Sequence, residues 1–111
     1  MLISRDLKIG DVVSETFTFN NIKVTNENID LILISNKLYG NTGMDYCILR
    51  KSGFKIITKT ILSLPCGFRI RSLGKKWVYY INKKDYVEIK NLNQLRFIYK
   101  VKNGKELEII L

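Results

Sequence analysis

Turn-forming residues interrupt this chain about every ten residues, and that spacing limits what it can fold into. Gly40, Gly43, Gly53, Pro65-Cys66-Gly67, Gly74 and Gly104 punctuate it, and the stretches between them are rich in Ile, Val, Thr, Tyr and Phe. β-Branched and aromatic side chains suit a pleated, half-buried surface. Alanine, the best helix former, does not occur at all, which counts against a helical bundle.

Strands are therefore predicted at 12–19 and 22–25, with "NN" (20–21) as their turn, and at 44–50, 54–62, 68–72, 75–81, 86–89, 95–101 and 106–111. The expected fold is mainly β: a small antiparallel barrel or sandwich of about seven to nine short strands. "TNENIDLILISNKLYGN" (25–41) is ambiguous. Early acids Glu27 and Asp30, late Lys37 and terminal Gly40 suit a helix near 26–38, which would make the fold α+β. The β-branched run "IDLILIS" fits a buried strand as well, and the balance tips slightly to strand. A shorter helical turn fits "NLNQL" (91–95). At 111 residues the chain has room for one core, so 1–111 is read as a single domain.

Several chemistries are disfavoured by what is missing. There is no histidine, which removes the commonest general base and zinc ligand together. Cys47 falls in a strand pattern, where a small buried thiol is expected, and Cys66 in a turn; two cysteines alone make neither a disulfide framework nor a zinc site. Asp6 with Asp11 and Asp85 with Glu88 read more simply as turn and cap residues than as acid–base pairs. "YGNTGMD" (39–45) has paired glycines, but no Lys-Ser/Thr follows to build a phosphate loop. No catalytic residue, metal or cofactor is implied. No apolar run is long enough to span a membrane and the N-terminus lacks a secretory apolar region, so a cytoplasmic protein is expected.

Charge points to a partner instead. Residues 1–49 carry a net −2 and residues 50–111 a net +11, within a total of +9. Such a one-sided field captures anions. Strand alternation turns Lys55 and Lys59 away from Phe54 and Ile56, and Arg69 and Arg71 away from Phe68 and Ile70. If "SLPCG" makes these strands neighbours, the four cations lie on one polar face. "GKKWVYYINKKDY" (74–86) adds Lys75, Lys76, Lys83 and Lys84 around Tyr79 and Tyr80. In the strand reading of 95–101, Arg96 and Lys100 extend the same surface.

Like charges side by side on a sheet destabilise it by roughly 0.2–1 kcal/mol per pair, which asks for a compensating use. Phosphate contacts, with exposed rings as stacking platforms, would supply one. Trp77 is expected to belong mostly to the core, with at least one of Tyr79 and Tyr80 exposed. "FRIRS" would be the centre of the cationic face and the aromatic segment its rim.

The expected function is thus a non-enzymatic polyanion-binding module, with RNA or single-stranded DNA as the leading partner. The alternative is a small interaction or inhibitor protein of viral or mobile-element origin, docking on an acidic host protein or capturing an anionic nucleotide. No RNP-like, KH or zinc-knuckle signature specifies a module. The edge-like "ELEIIL" leaves a homodimer open.

Overall fold

The computed structural model describes residues 7–18, 20–35 and 39–111. Within them the chain is mainly β, with eight strands and three helices. β1 (Val12–Glu15), β2 (Asn21–Lys23) and β3 (Tyr39–Asn41) form a three-stranded antiparallel sheet in the order β2-β1-β3. A five-stranded meander follows: β4 (Lys55–Ile56), β5 (Ile61–Ser63), β6 (Arg69–Ser72), β7 (Trp77–Tyr80) and β8 (Tyr86–Ile89). β4 and β8 remain edges, so the meander is an open sheet and not a closed barrel. The helices are α1 (Ile29–Ile34), α2 (Tyr46–Lys51) and α3 (Leu92–Asn103).

β1 ties two cores together because successive strand residues face opposite ways. Val12 packs into the main core with Leu49, Leu62, Ile70, Ile89, Leu92 and Leu95. Its neighbour Val13 packs with Val24 and Ile32 in the smaller one.

Several predicted strands are corrected. Residues 44–50 contain α2, because Asp45 caps it: its Oδ1 accepts from the Ile48 amide at 3.1 Å, and Arg50 and Lys51 occupy the last turn. Cys47 therefore rides on a helix and is exposed, not buried in a strand. Residues 95–101 belong to α3. Asn91 Oδ1 accepts from the Gln94 amide at 2.8 Å, and Gln94 Oε1 accepts in turn from the Lys90 amide at 2.8 Å. At the far end Gly104, with φ of 72°, takes the left-handed cap and donates to the Lys100 carbonyl at 2.7 Å. "NLNQL" was thus the start of a longer helix, burying Leu92, Leu95 and Arg96 at helical spacing.

The remaining differences are smaller. "FKIITKTIL" is a hairpin rather than one strand, with Ile57 donating to the Ile61 carbonyl at 2.9 Å across the turn. Residues 26–38 include α1, as the helical alternative had it; Lys37 lies outside the described residues. The strand predicted at 12–19 ends at Glu15, with 16–18 in a turn, and Asn21 belongs to β2 opposite Ser14, so the turn falls earlier than "NN"; Phe19 lies outside the described residues. The segment 106–111 makes no strand: Leu107 and Ile109 do alternate inward, but no sheet takes up its backbone. The edge-strand basis for a dimer at "ELEIIL" falls with it.

Candidate nucleic-acid interface

The register of the meander sorts its side chains. Opposed residues share a face, and the pairs Lys55–Ser63, Ser63–Arg69, Arg71–Val78, Val78–Glu88 and Tyr80–Tyr86 fall together. Leu62, Ile70, Trp77, Tyr79 and Ile89 take the other face, against α2 and α3. Lys55, Arg69 and Arg71 thus do share a surface. Lys59 does not join them, since it sits in the β4–β5 turn, where its carbonyl accepts from the Tyr46 hydroxyl at 3.5 Å.

Aromatic residues divide along the same line. Trp77 is half-buried and meets Tyr46 edge-on, with centroids 5.1 Å apart. Tyr79 is half-buried and stacks on Phe68 at 4.9 Å, within 11° of parallel. Tyr80 and Tyr86 stand on the cationic face, 37% and 45% exposed, with centroids 5.6 Å apart. Each has a cation beside it: Arg71 Cζ lies 5.6 Å from the Tyr80 centroid, and Lys76 Nζ, which donates to the Tyr86 hydroxyl at 3.3 Å, lies 5.2 Å from that ring's centroid. Register selects Tyr80, not the Trp77/Tyr79 pair, as the ring set among cations.

A groove of about 730 Å³ opens at one end of this face. It exists because β6 and β7 pair at Arg71–Val78 and Ser72–Trp77, beside their turn, and not beyond. Past that point β6 is paired to β5 and β7 to β8, and the gap admits side chains from both faces. Arg69, Arg71 and Tyr80 come from one face, Phe68 and Tyr79 from the other. The closing residues are Cys66 of the β5–β6 turn, Lys83 of the β7–β8 turn, and Lys102 and Asn103 at the C-terminal end of α3. Asn82 shapes the β7–β8 turn by accepting from the amides of Lys84 and Asp85, both at 2.8 Å, which leaves Lys83 and Lys84 exposed.

No acidic residue among the described residues lines the groove. Among the described residues, no carboxylate lies within ion-pair distance of Lys55, Lys59, Arg69, Arg71, Lys75, Lys76, Lys83, Lys84 or Lys102. Asp85 is engaged by the Asn82 amide at 3.0 Å. Glu88 is two strands away from Arg71, on the far side of Val78. Cys66 Sγ lies 3.9 Å from the Tyr99 hydroxyl at the groove's wall, and that contact, with some burial, holds the Tyr99 phenol above its ordinary range.

Two expected site residues belong elsewhere. Arg96 and Lys100 project from α3 into a separate cluster, because the helix replaces the alternation that had put them on the sheet. Arg96 is 7% exposed and every arm of its fork is engaged. Nη1 pairs with Asp11 Oδ1; Nη2 pairs with Glu106 at 2.8 Å and reaches the Ile9 carbonyl at 3.4 Å; Nε donates to the Leu107 carbonyl at 3.1 Å. Lys100 donates to the other oxygen of Glu106 at 2.7 Å. That hydrogen bond above all holds the Glu106 carboxyl below its usual value; desolvation opposes it, and the charges of Lys100, Arg96 and Lys8 add to the lowering.

Lys59 and Lys75 occupy turns at the opposite end of the sheet from the groove. Tyr86, Lys102 and Asn103 were not anticipated. Tyr86 was within reach, since closing a hairpin over "INKKD" sets it opposite Tyr80. Lys102 was not, because its position depends on α3. No family model, curated protein or solved structure matches the chain. No helix among the described residues is long and apolar enough to cross a membrane.

Proposed function

We propose that this protein is a nucleic-acid-binding module that holds phosphates along the sheet face and in the groove at its end. One observation carries the reading: Arg69, Arg71, Lys83 and Lys102 converge on a groove that no carboxylate among the described residues lines. Cations gathered this way repel one another, and an anionic chain removes that repulsion while releasing its own counterions. Lys55, Lys76 and Lys84 continue the positive surface away from the groove. The Arg71–Tyr80 and Lys76–Tyr86 pairs hold cationic groups and exposed rings side by side, the combination that binds a phosphate chain and its bases together.

The salt dependence of binding tests this. Each phosphate neutralised on a single strand contributes about −0.7 to the slope of log K against log salt. Replacing both Arg69 and Arg71 by Ala should weaken binding of a ten-nucleotide strand at low salt and make the slope shallower by about 1.4. Absence of binding at low salt, or a slope untouched by the double substitution, would reject the reading.

A further inference from the structure

Building on that reading, we infer that the groove is a single-nucleotide pocket: it takes one unpaired base against Tyr80 and the face of the Arg71 guanidinium, with the flanking phosphates on Arg69, Lys83, Lys102 and the N–H edge of Arg71. Size comes first. About 730 Å³ lies within the roughly 300–1,000 Å³ range of clefts that enclose small ligands, far more than a lone phosphate needs.

The lining also matches the parts of a nucleotide. Arg69 from β6, Lys83 from the β7–β8 turn and Lys102 from the end of α3 come from three separate elements around one opening, as suits an anion bound between them. Tyr80 brings an aromatic surface, and Arg71 lies over its ring. A planar guanidinium held on a ring can itself be stacked upon by a base. Behind them the stacked Phe68 and Tyr79 form an apolar floor, reached through the gap between β6 and β7.

Polar specificity comes from one amide. Asn82 is already committed to its turn through both its oxygen and its nitrogen. Asn103 donates one Nδ2 hydrogen to the Tyr99 carbonyl at 3.3 Å, which leaves its oxygen as an acceptor and its second N–H as a donor. A base edge with an exocyclic amino group is the complementary partner.

This arrangement separates the base from the phosphates as sources of binding. A duplex keeps its bases stacked and paired, so it can offer the groove phosphates alone. A strand stripped of bases offers the same.

The experiment compares three probes by fluorescence anisotropy at one salt concentration: a ten-nucleotide single strand, its blunt-ended duplex, and an abasic strand of equal length. The single strand should bind roughly ten-fold or more tightly than the abasic strand. Tyr80→Ala should erase that ratio, and Tyr80→Phe, which keeps the ring, should preserve it. Lys102→Gln should weaken single-strand and abasic-strand binding alike. A nucleoside 5′-monophosphate that displaces the strand would assign the pocket to free nucleotides as well; one that does not would assign it to nucleotides within a strand.

Equal affinity for normal and abasic strands, or a ratio that survives Tyr80→Ala, would overturn the pocket. With a steep salt slope, that result leaves the phosphate-binding function standing. No binding of any probe at low salt would overturn both.

Discussion

Arg71 and Arg96 belong to the same basic half of the chain, yet folding commits only one of them. Arg96 is enclosed by groups that need it: Asp11 and Glu106 as counter-charges, and the carbonyls of Ile9 and Leu107 as acceptors. It pins the segment before β1 and the segment after α3 to the helix between them. Arg71 is half-buried on a sheet face, with a tyrosine ring as its neighbour and no carboxylate within reach among the described residues. The contrast separates structural cations from available ones. A cation whose charge is answered inside the fold cannot also serve a phosphate; one left unanswered among other cations can.

Removing each arginine in turn separates the two roles. Arg96→Ala leaves the buried Asp11 carboxylate without its counter-charge and takes a donor from three further acceptors, the Ile9 and Leu107 carbonyls and Glu106. Stability should fall by about 3–5 kcal/mol. Arg69→Ala and Arg71→Ala, tested in the same guanidinium titrations, should each change stability by less than about 1 kcal/mol and weaken nucleic-acid binding instead. Equal stability losses at Arg71 and Arg96 would erase the distinction. Arg96→Lys should recover little, because a point charge cannot reach Asp11, Glu106 and Leu107 together.

The same pair explains what was legible in the sequence. Arg69 and Arg71 alternate with Phe68 and Ile70 in a strand bounded by turns, so a period of two was enough to turn them outward. Arg96 lies in "LRFIYKV", which alternates well enough to pass for a strand. Leu92, Leu95 and Ile98 carry a helical period through the same residues, and the Asn91 and Gly104 caps decide in its favour. Those caps were visible, as was Asp45 ahead of α2, but β-branched composition outweighed them. The groove was legible only in part. Arg69 and Lys83 were on the expected surface, whereas the gap between β6 and β7 and the approach of Lys102 are tertiary outcomes that no local pattern carries.

Gly10 tests how firmly Arg96 is packed, at somewhat lower cost to the fold. Its φ is +91°, and a Cβ there would stand 2.8 Å from Arg96 Nη2 and 3.2 Å from Cζ. Both the backbone and the packed guanidinium oppose a side chain, so Gly10→Ala should destabilise by about 1–3 kcal/mol. Gly43, where an added Cβ meets nothing within 4 Å, provides the control. Gly43→Ala should stay within about 0.5 kcal/mol in the same denaturation series. A tolerant Gly10 would mean that the Arg96 cluster yields easily and is no fixed anchor.

The smallest effect expected is a pH dependence confined to that cluster. Lys100, Arg96 and Lys8 hold the Glu106 carboxyl below the ordinary 4.5, so the folded chain favours its charged form more than the unfolded chain does. A group whose pKa is depressed by folding adds stability above its unfolded value, and that contribution disappears as pH falls through the folded one. Because Glu106 is exposed at the surface, the contribution is screened and modest. Urea midpoints measured from pH 6 down to pH 3 should decline, and Glu106→Gln should make that decline shallower by starting from a lower midpoint at pH 6. Arg71→Ala should leave the acid limb unchanged, since no carboxylate answers that arginine among the described residues. If Glu106→Gln and wild type decline in parallel, Glu106 adds no charge-dependent support, and Asp11 with the two carbonyls must hold Arg96 by themselves.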